Sequence, residues 1–344
     1  FIVGINMGTN YFIDLMPLIQ EAWEFIRRME SLGYVIRTPL YKSEYLSGNG
    51  LNVYLKLESL QRSGSFKVRG VFFAVHKYMR DGYEHFLTVS TGNHAVALAY
   101  VASVLRVRAT VVVPETTPRS KVEDMERYGA EVIKYGKSYI EAEKKALEIV
   151  SGNPRIKLVH TFNDHYIIAG HATIGLEILE DLPNVDAILI PLGGGALPAG
   201  VSYLLRHIKP GTKVYGVQPE SAPFYVLSLK EGKPVVLNDI RTIADGLASR
   251  PGEIPFEYIR RYLNGVLLVS EGDIERSIYL LLKYEHVVAE GAGAIAIGPI
   301  INGDLIKELD QVGSHNVVAV ITGSHIDVDR LRNILGNERI YETH

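Results

Sequence analysis

The sequence predicts an α/β fold built on a mostly parallel sheet, and three observations support this prediction. Short apolar runs, such as residues 186–191 (DAILIP) and 316–321 (NVVAVI), alternate with longer helix-like stretches. These runs are almost continuously apolar, as is typical of strands buried on both faces. Each leads through a loop rich in Gly or Ser into a helical stretch, so β–α–β crossovers are expected.

The composition is that of an ordinary globular chain. Its 344 residues allow one large or two ordinary domains, with 47% hydrophobic and 22% charged residues. A net charge of −3 offers no basic surface for nucleic acid or an anionic membrane, so we expect neither as a partner. No apolar run is long enough to span a bilayer, and residues 1–10 lack the features of a secretory signal. The chain has no cysteine, which excludes disulfides and Cys-ligated zinc and is consistent with the cytoplasm.

The elements can be assigned in chain order. Helices are predicted over residues 14–32 and 94–105, and a buried helix over the apolar segment that begins at Val71. The predicted strands share a short apolar or β-branched pattern: 51–57, 86–90, 109–114, 131–135, 157–160, 186–191, 213–218, 266–270 and 316–321.

The most informative loop is SGSFKVRG, residues 63–70, between the first strand and the apolar helix. Lys67 and Arg69 fall in the first helical turn, where positive charge opposes the helix dipole. A bound anion, or a lysine of lowered pKa, would resolve that conflict. The competing interpretation is a solvated lysine beside a loop.

Two further loops follow predicted strands and bring polar groups to helix starts. Residues 90–94 (STGNH) offer backbone amides that can take a carboxylate, and Asn93 can donate to a phenolate oxygen. Thr322, after the last predicted strand, can meet a ring nitrogen. For both loops the competing interpretation is a Ser or Thr helix cap.

A glycine-rich loop, residues 191–200 (PLGGGALPAG), follows the strand DAILI. Its unobstructed amides suit a phosphate at a helix N-terminus. A dinucleotide fingerprint that starts at Gly193 would need glycine where Pro198 stands, and the Gly-Lys-Ser/Thr of a P-loop is absent. A nucleotide-dependent oxidoreductase is therefore disfavoured. A plain glycine turn stays open.

An amine, a phosphate cradle, an amide donor and a neutral hydroxyl are the groups that hold pyridoxal 5'-phosphate. The chain resembles the fold-type II enzymes that use this cofactor, in the tryptophan synthase beta-like superfamily, and among them the threonine/serine dehydratase and serine racemase group. The resemblance extends from residues 37–40 to residues 329–331. Its motifs occur in one order: SGSFKVRG, STGNHAVALA, VVVPETTPRSKVEDMERYGAEV, AGHATIGLEI, PLGGGALPAG, IADGLA, AEGAGAIAI and ITGSHIDVDRL.

The resemblance implies a role for each matching residue. Lys67 is the covalent attachment point of the cofactor, and Phe66 packs against its ring. Asn93 is the partner of the 3-hydroxyl group and Thr322 that of the pyridine nitrogen. The remaining cofactor-binding positions are Gly193, Gly194, Gly195, Ala196 and Leu197 at the phosphate, with Gly246 and Glu290 along the cofactor. The substrate carboxylate site consists of Ser90, Thr91, Gly92, Asn93 and His94.

Several positions depart from the usual pattern of the group. Ala196 replaces a fourth glycine, His325 replaces an Asn, and His171 replaces a Gln. Gln218 replaces a carboxylate of a divalent-metal site, so we expect no metal. We interpret His94, His171 and His325 as local hydrogen-bonding residues, because their spacing fits no metal ligand set.

The reaction implied by the resemblance is β-elimination on L-threonine or L-serine, which yields a 2-oxo acid and ammonia. Lys67, once displaced by the substrate amine, removes the α-proton. Thr91 stands where dehydratases carry Ala and racemases carry Ser, so it is a second candidate acid/base and racemisation remains a rival. Threonine and cysteine synthases are disfavoured because Arg62 and Ser63 stand where they show Asn-Pro. A non-catalytic protein of this fold is disfavoured because Lys67 and Asn93 are both present.

The resemblance also implies an organisation of two open, twisted, mostly parallel sheets flanked by helices. Residues 1–84 and 164–344 are expected to form a large cofactor-binding domain, into which a smaller α/β domain, residues 85–163, is inserted. We expect no C-terminal regulatory domain and therefore no feedback by isoleucine. A homodimer or homotetramer in the cytoplasm is expected.

Overall fold

The computed structural model describes residues 11–237, 240–309 and 314–337. The expectation that residues 1–10 carry no signal segment lies outside this part of the chain. The described strands are β1 Leu40–Lys42, β2 Leu51–Lys56, β3 His85–Val89, β4 Arg108–Val113, β5 Glu131–Lys134, β6 Ile156–Leu158, β7 Ala187–Pro191, β8 Lys213–Pro219, β9 Gly265–Val269 and β10 His315–Val320.

The strands form two sheets, as the family resemblance implies. A six-stranded sheet has the order β1-β2-β10-β7-β8-β9, and a four-stranded sheet has the order β5-β4-β3-β6. Every paired neighbour is parallel except β1, which runs antiparallel to β2. The predicted α/β class is confirmed. The short edge strand β1 was not among the predicted strands.

Helices cover the sheets, and the predicted helix of residues 14–32 is present as α1. The described helices are α1 Met16–Ser31, α2 Lys67–Arg80, α3 Asn93–Leu105, α4 Arg119–Glu126, α5 Tyr139–Gly152, α6 His165–Asp181, α7 Ala196–Ile208, α8 Phe224–Glu231, α9 Glu253–Tyr262, α10 Glu271–Tyr284, α11 Gly291–Ala294, α12 Gly298–Ile301, α13 Asp304–Glu308 and α14 Val328–Gly336. None of these helices combines the length and apolarity that a membrane span requires.

The strands of the four-stranded sheet all come from residues 85–158, between the segments that build the larger sheet. A helix from each sheet region contacts the other: Phe72 of α2 meets Tyr100 of α3 edge to face, with ring centres 6.1 Å apart. The division into an inserted and a surrounding domain therefore stays a prediction.

The helix that begins at Lys67 is held by a close crossing with α6. A Cβ atom on Gly170 would lie 2.7 Å from the Gly70 Cα atom, so only glycine permits this approach. Parallel strands β2, β10 and β7 are neighbours, and the loops after them lie at one edge of the sheet. This edge is where open parallel sheets place ligand sites.

Candidate active site

Backbone bonds join the loop before α2 to the loop after β10. The Phe66 amide donates to the Thr322 carbonyl over 3.0 Å, and the Ser324 amide donates to the Gly64 carbonyl over 3.0 Å. A bridge between Ser65 and Gly323 adds to these contacts. Lys67, the first residue of α2, is thereby held beside Thr322.

The Lys67 side chain is half-buried, and no carboxylate in the described part of the chain lies within ion-pair distance of it. Its Nζ atom donates to the Thr161 carbonyl over 3.4 Å and lies 4.9 Å from the centre of the Phe66 ring. Burial lowers the pKa of Lys67 to about 8, although the Glu290 charge acts in the opposite direction. Lys67 is therefore a half-buried amine of lowered pKa, and not the solvated lysine of the competing interpretation.

Asn93, the first residue of α3, lies between two other side chains. Its Nδ2 atom donates to Glu290 Oε1, and its Oδ1 atom is 2.5 Å from His325 Nδ1. Burial raises the pKa of Glu290 to about 7. A cluster of Asn93, Glu290 and His325 thus lies next to Lys67, and its three members are far apart in sequence.

The glycine loop, residues 191–200, also borders the site. Gly195 has φ +101°, a left-handed conformation that glycine adopts freely, and it precedes α7 with no side-chain cap. Within the part of the chain that the structure describes, the amides of Gly193, Gly194 and Gly195 find no protein acceptor. They are therefore free for an anion, together with the first amides of α7, those of Ala196 and Leu197.

Phe162 connects this loop to Lys67. It follows Thr161, the acceptor of the Lys67 amine, and its ring lies against Gly194, where an added Cβ would be 2.2 Å from Phe162 Cδ1. On the far side of the loop, a Cβ on Gly193 would lie 2.9 Å from the Gly246 carbonyl oxygen. Glycine loop, lysine and Gly246 therefore border one site.

Three histidines near Lys67 are held neutral. Burial, and then the Lys67 charge, lower the pKa of His94 to about 3 and that of His171 well below its usual value. Burial also lowers the pKa of His160 to about 4. His171 Nδ1 accepts from the Gly70 amide at 3.2 Å, and His94 Nε2 lies 3.2 Å from the Val159 carbonyl. His94, His171 and His325 therefore each make a hydrogen bond within the protein, as expected from the sequence.

The capping alternatives for the polar loops are wrong. The residue that caps α3 is Gly92, with no side-chain hydrogen bond, whereas Ser90 Oγ accepts from the Gly92 amide at 3.3 Å. The last helix, α14, is capped by Asp327. Thr322 Oγ1 instead donates to the Ala292 carbonyl at 3.2 Å. Thr91 is partly exposed in the loop before α3.

Sequence reasoning did not identify Thr161 and Phe162 as site residues. They follow the short strand β6 in a loop without the Gly-rich composition that marked the other loops. Their role depends on a contact that joins residues 94 positions apart. Among the described residues, no group of three His, Asp or Glu side chains is arranged to hold a metal ion.

Residues 32–323 match the family model described as "Pyridoxal-phosphate dependent enzyme". The chain is 39% identical over 323 residues to an L-threonine ammonia-lyase of Thermotoga maritima, covering 93% of this chain and 78% of that protein.

Among solved structures, the processed form of threonine deaminase isoform 2 from Solanum lycopersicum superposes with a TM-score of 0.85 at 33% identity, covering 93% of this chain and 88% of the other. Maize serine racemase superposes with a TM-score of 0.86 at 27% identity, covering 96% and 99%. The family match takes in Lys67, Asn93 and the glycine loop, and it ends within the loop after β10. The chain therefore belongs to the family of pyridoxal-phosphate dependent enzymes, with the fold of their type II members.

Proposed function

We propose that this protein is a pyridoxal-phosphate dependent L-threonine/L-serine ammonia-lyase, which converts its substrate to a 2-oxo acid and ammonia. The observation that carries the proposal is the half-buried Lys67 amine, which has a lowered pKa and, among the residues that the structure describes, no paired carboxylate. The L-threonine ammonia-lyase of Thermotoga maritima and the threonine deaminase of Solanum lycopersicum support this choice of reaction.

The residues present fit the cofactor. The three unpaired glycine amides and the first amides of α7 would hold its phosphate, and Asn93 retains a second N–H for its phenolic oxygen. The Thr322 hydroxyl, whose hydrogen can rotate, would meet the ring nitrogen. When bound, pyridoxal phosphate supplies an electron sink for the pair left on the substrate α-carbon.

Lys67 is suited to move the α-proton. A general base works best when its pKa lies near the operating pH, and burial brings the pKa of Lys67 to about 8. The neutral histidines beside it add no positive charge that would repel a protonated amine. Lys67 can therefore accept the α-proton from the substrate and hold it until it is given back later in the reaction.

The loop of residues 90–94 would bind the substrate carboxylate. It ends at α3, a helix of 13 residues whose N-terminus has no side-chain cap. The orphan amides and the positive end of the helix dipole favour an anion at this point. A carboxylate bound there would orient the amino acid beside Asn93 and Lys67.

Absorbance and product analysis test the proposal. Purified protein supplied with pyridoxal phosphate should show the visible absorbance of a lysine-bound cofactor and should release ammonia and a 2-oxo acid from L-threonine and L-serine. Lys67→Ala should lose that absorbance, whereas Lys77→Ala, in the same helix, should keep it. An unchanged spectrum in Lys67→Ala would refute the assignment.

Racemisation is a second candidate, favoured by the Thr91 hydroxyl in the loop before α3 and by the likeness to maize serine racemase. Chiral analysis of the products separates the two activities. Thr91→Ala should abolish formation of the D-amino acid and spare ammonia release. Accumulation of D-serine alone in the wild type would make racemase the better description.

We also propose that the enzyme works in the cytoplasm as a homodimer or homotetramer, as the family resemblance implies. Light scattering of the purified holoenzyme measures the mass of the assembly. A mass equal to the 38.2 kDa of one chain would refute the proposed assembly.

A further inference from the structure

The Asn93 amide is bonded at both of its ends. His325 Nδ1 lies 2.5 Å from Asn93 Oδ1, while Asn93 Nδ2 donates to Glu290 Oε1. We propose that His325 and Glu290 clamp the Asn93 amide in one orientation, with His325 acting as a positioning residue for cofactor binding. The inference rests on the proposed function, because it assigns a role toward the bound pyridoxal phosphate.

When Glu290 is ionised and His325 carries its hydrogen on Nδ1, the polarity of the three groups fits one orientation of the Asn93 amide. Burial lowers the pKa of His325 and so favours a neutral ring. Because Asn93 Nδ2 faces the Glu290 carboxylate, Asn93 Oδ1 faces His325 Nδ1, and the short contact between them requires the ring hydrogen on Nδ1. A flipped amide would set its oxygen against the Glu290 carboxylate and its N–H groups against the His325 N–H. Two repulsive contacts would replace two hydrogen bonds.

The clamp leaves one donor free. The amide nitrogen carries two hydrogens, of which Glu290 takes one. The other remains for an acceptor outside the clamp, and the phenolic oxygen of the cofactor is an acceptor of this kind. His325 thereby acts through Asn93 and makes it present a donor, not an acceptor, at that point.

Two glycines provide the space that the clamp needs. Gly64 has φ +73°, and a Cβ there would lie 2.6 Å from His325 Cε1. A Cβ on Gly323 would lie 2.3 Å from Glu290 Oε1 and 2.9 Å from Asn93 Nδ2. Any larger residue at either position would displace a member of the clamp. Gly64 and Gly323 belong to the two loops that hold Lys67, so the clamp is built into the same structure.

The test is a double-mutant cycle on the holoenzyme. The rate of pyridoxal phosphate release is followed as loss of visible absorbance after dilution of wild type, His325→Phe, Asn93→Ala and the double variant. His325→Phe keeps a ring above Gly64 and removes the donor, and we expect release about five- to tenfold faster, as for one lost net hydrogen bond. In the Asn93→Ala background the same change should alter release less than about twofold, because coupled residues are not additive.

His325→Asn is the matched control, since its side chain keeps an N–H donor. Release from this variant should stay within about twofold of wild type. Equal effects of His325→Phe in both backgrounds, or an Asn variant as fast as the Phe variant, would show that His325 merely fills space and would overturn the inference. His325→Leu provides the same cycle if the Phe variant fails to fold. A wild type that takes up no pyridoxal phosphate overturns the proposed function and this inference together, whereas additive effects in a chain that binds it overturn the inference alone.

Discussion

Lys67 and Arg69 lie two residues apart in the first turn of α2, and their surroundings differ sharply. Arg69 is fully buried and bonds to two buried carboxylates, with NH2 2.8 Å from Glu58 Oε1 and NH1 2.5 Å from Glu177 Oε1. Among the described residues, no carboxylate lies within ion-pair distance of Lys67 Nζ, whose hydrogen-bond partner is the Thr161 carbonyl. One cation is thus neutralised by its neighbours, and the other is not.

The carboxylates around Arg69 form a balanced cluster with Lys56, whose Nζ atom lies 2.5 Å from Glu177 Oε2. Glu30 lies at its edge, where burial and then a hydrogen bond to Glu177 raise its pKa. Burial acts to raise the pKa of Glu177 as well, but the charges of Arg69 and Lys56 outweigh it and lower that pKa. Two cations therefore face two carboxylates, and the raised pKa of Glu30 favours its neutral form.

Two cations in one helical turn therefore serve different purposes, one in stability and one in reactivity. Removing one partner from a buried ion pair leaves a bare charge, so Arg69 matters for stability. A buried cation without a partner has its pKa lowered, so Lys67 matters for reactivity. The opposition of both residues to the helix dipole, visible in the sequence, does not distinguish these two outcomes.

The largest expected effect is on catalysis. Lys67→Ala should lower kcat by at least about three orders of magnitude, because the base and the covalent attachment of the cofactor are lost together. Steady-state ammonia release measures this change. The melting temperature of the cofactor-free protein should not fall. If it falls sharply while kcat is little changed, Lys67 belongs with Arg69 as a structural cation.

The next largest effect is on stability. Arg69→Met should reduce the free energy of unfolding by about 3–5 kcal/mol, since Glu58 and Glu177 would remain buried with one cation fewer. Urea denaturation, with constant m-value, measures the loss. A loss below about 1 kcal/mol would mean that the cluster relaxes and that the contrast with Lys67 is smaller than described.

A pH-dependent effect separates the two cations further. The pKa of Lys67 is about 8 in the folded cofactor-free chain, against 10.5 for a lysine in the unfolded chain. Below pH 8 the folded protein bears the full cost of a buried charge, and above pH 10.5 it bears none. Lys67→Met should therefore be more stable than wild type by about 1–3 kcal/mol at pH 7, and the difference should vanish as the pH rises through this window. Urea denaturation at several pH values measures it, and a difference independent of pH would contradict the lowered pKa.

The smallest effect is expected ten residues further along α2. Lys77 Nζ pairs with Glu21 Oε2 at 2.8 Å, and both side chains retain contact with solvent. Lys77→Met should change the free energy of unfolding by less than about 1 kcal/mol, the usual range for a surface pair. The same urea experiment serves here. A loss as large as that of Arg69→Met would show that burial is not what distinguishes the two pairs.

Much of the fold and of the site could be predicted because the signals are local. Apolar runs with a period of two or no period marked the strands, and glycines and small polar residues marked the loops after them. The antiparallel strand β1 was missed because it has three residues and follows a proline, too short for any periodic pattern. Lys56 was also missed as a buried ion, because it closes a strand whose pattern predicts only alternate burial.

The sequence by itself determined the order of strands and helices, the family, and the inventory of reactive groups, since each depends on residues that are neighbours along the chain. The tertiary structure decided which charges are paired, which histidines are neutral, and that the Asn93 amide is bonded to Glu290 and His325, 197 and 232 residues away. Burial and hydrogen bonding act through space and set these properties, so no local pattern encodes them. For the same reason, Lys67 and Arg69 are alike in the sequence and opposite in the folded protein.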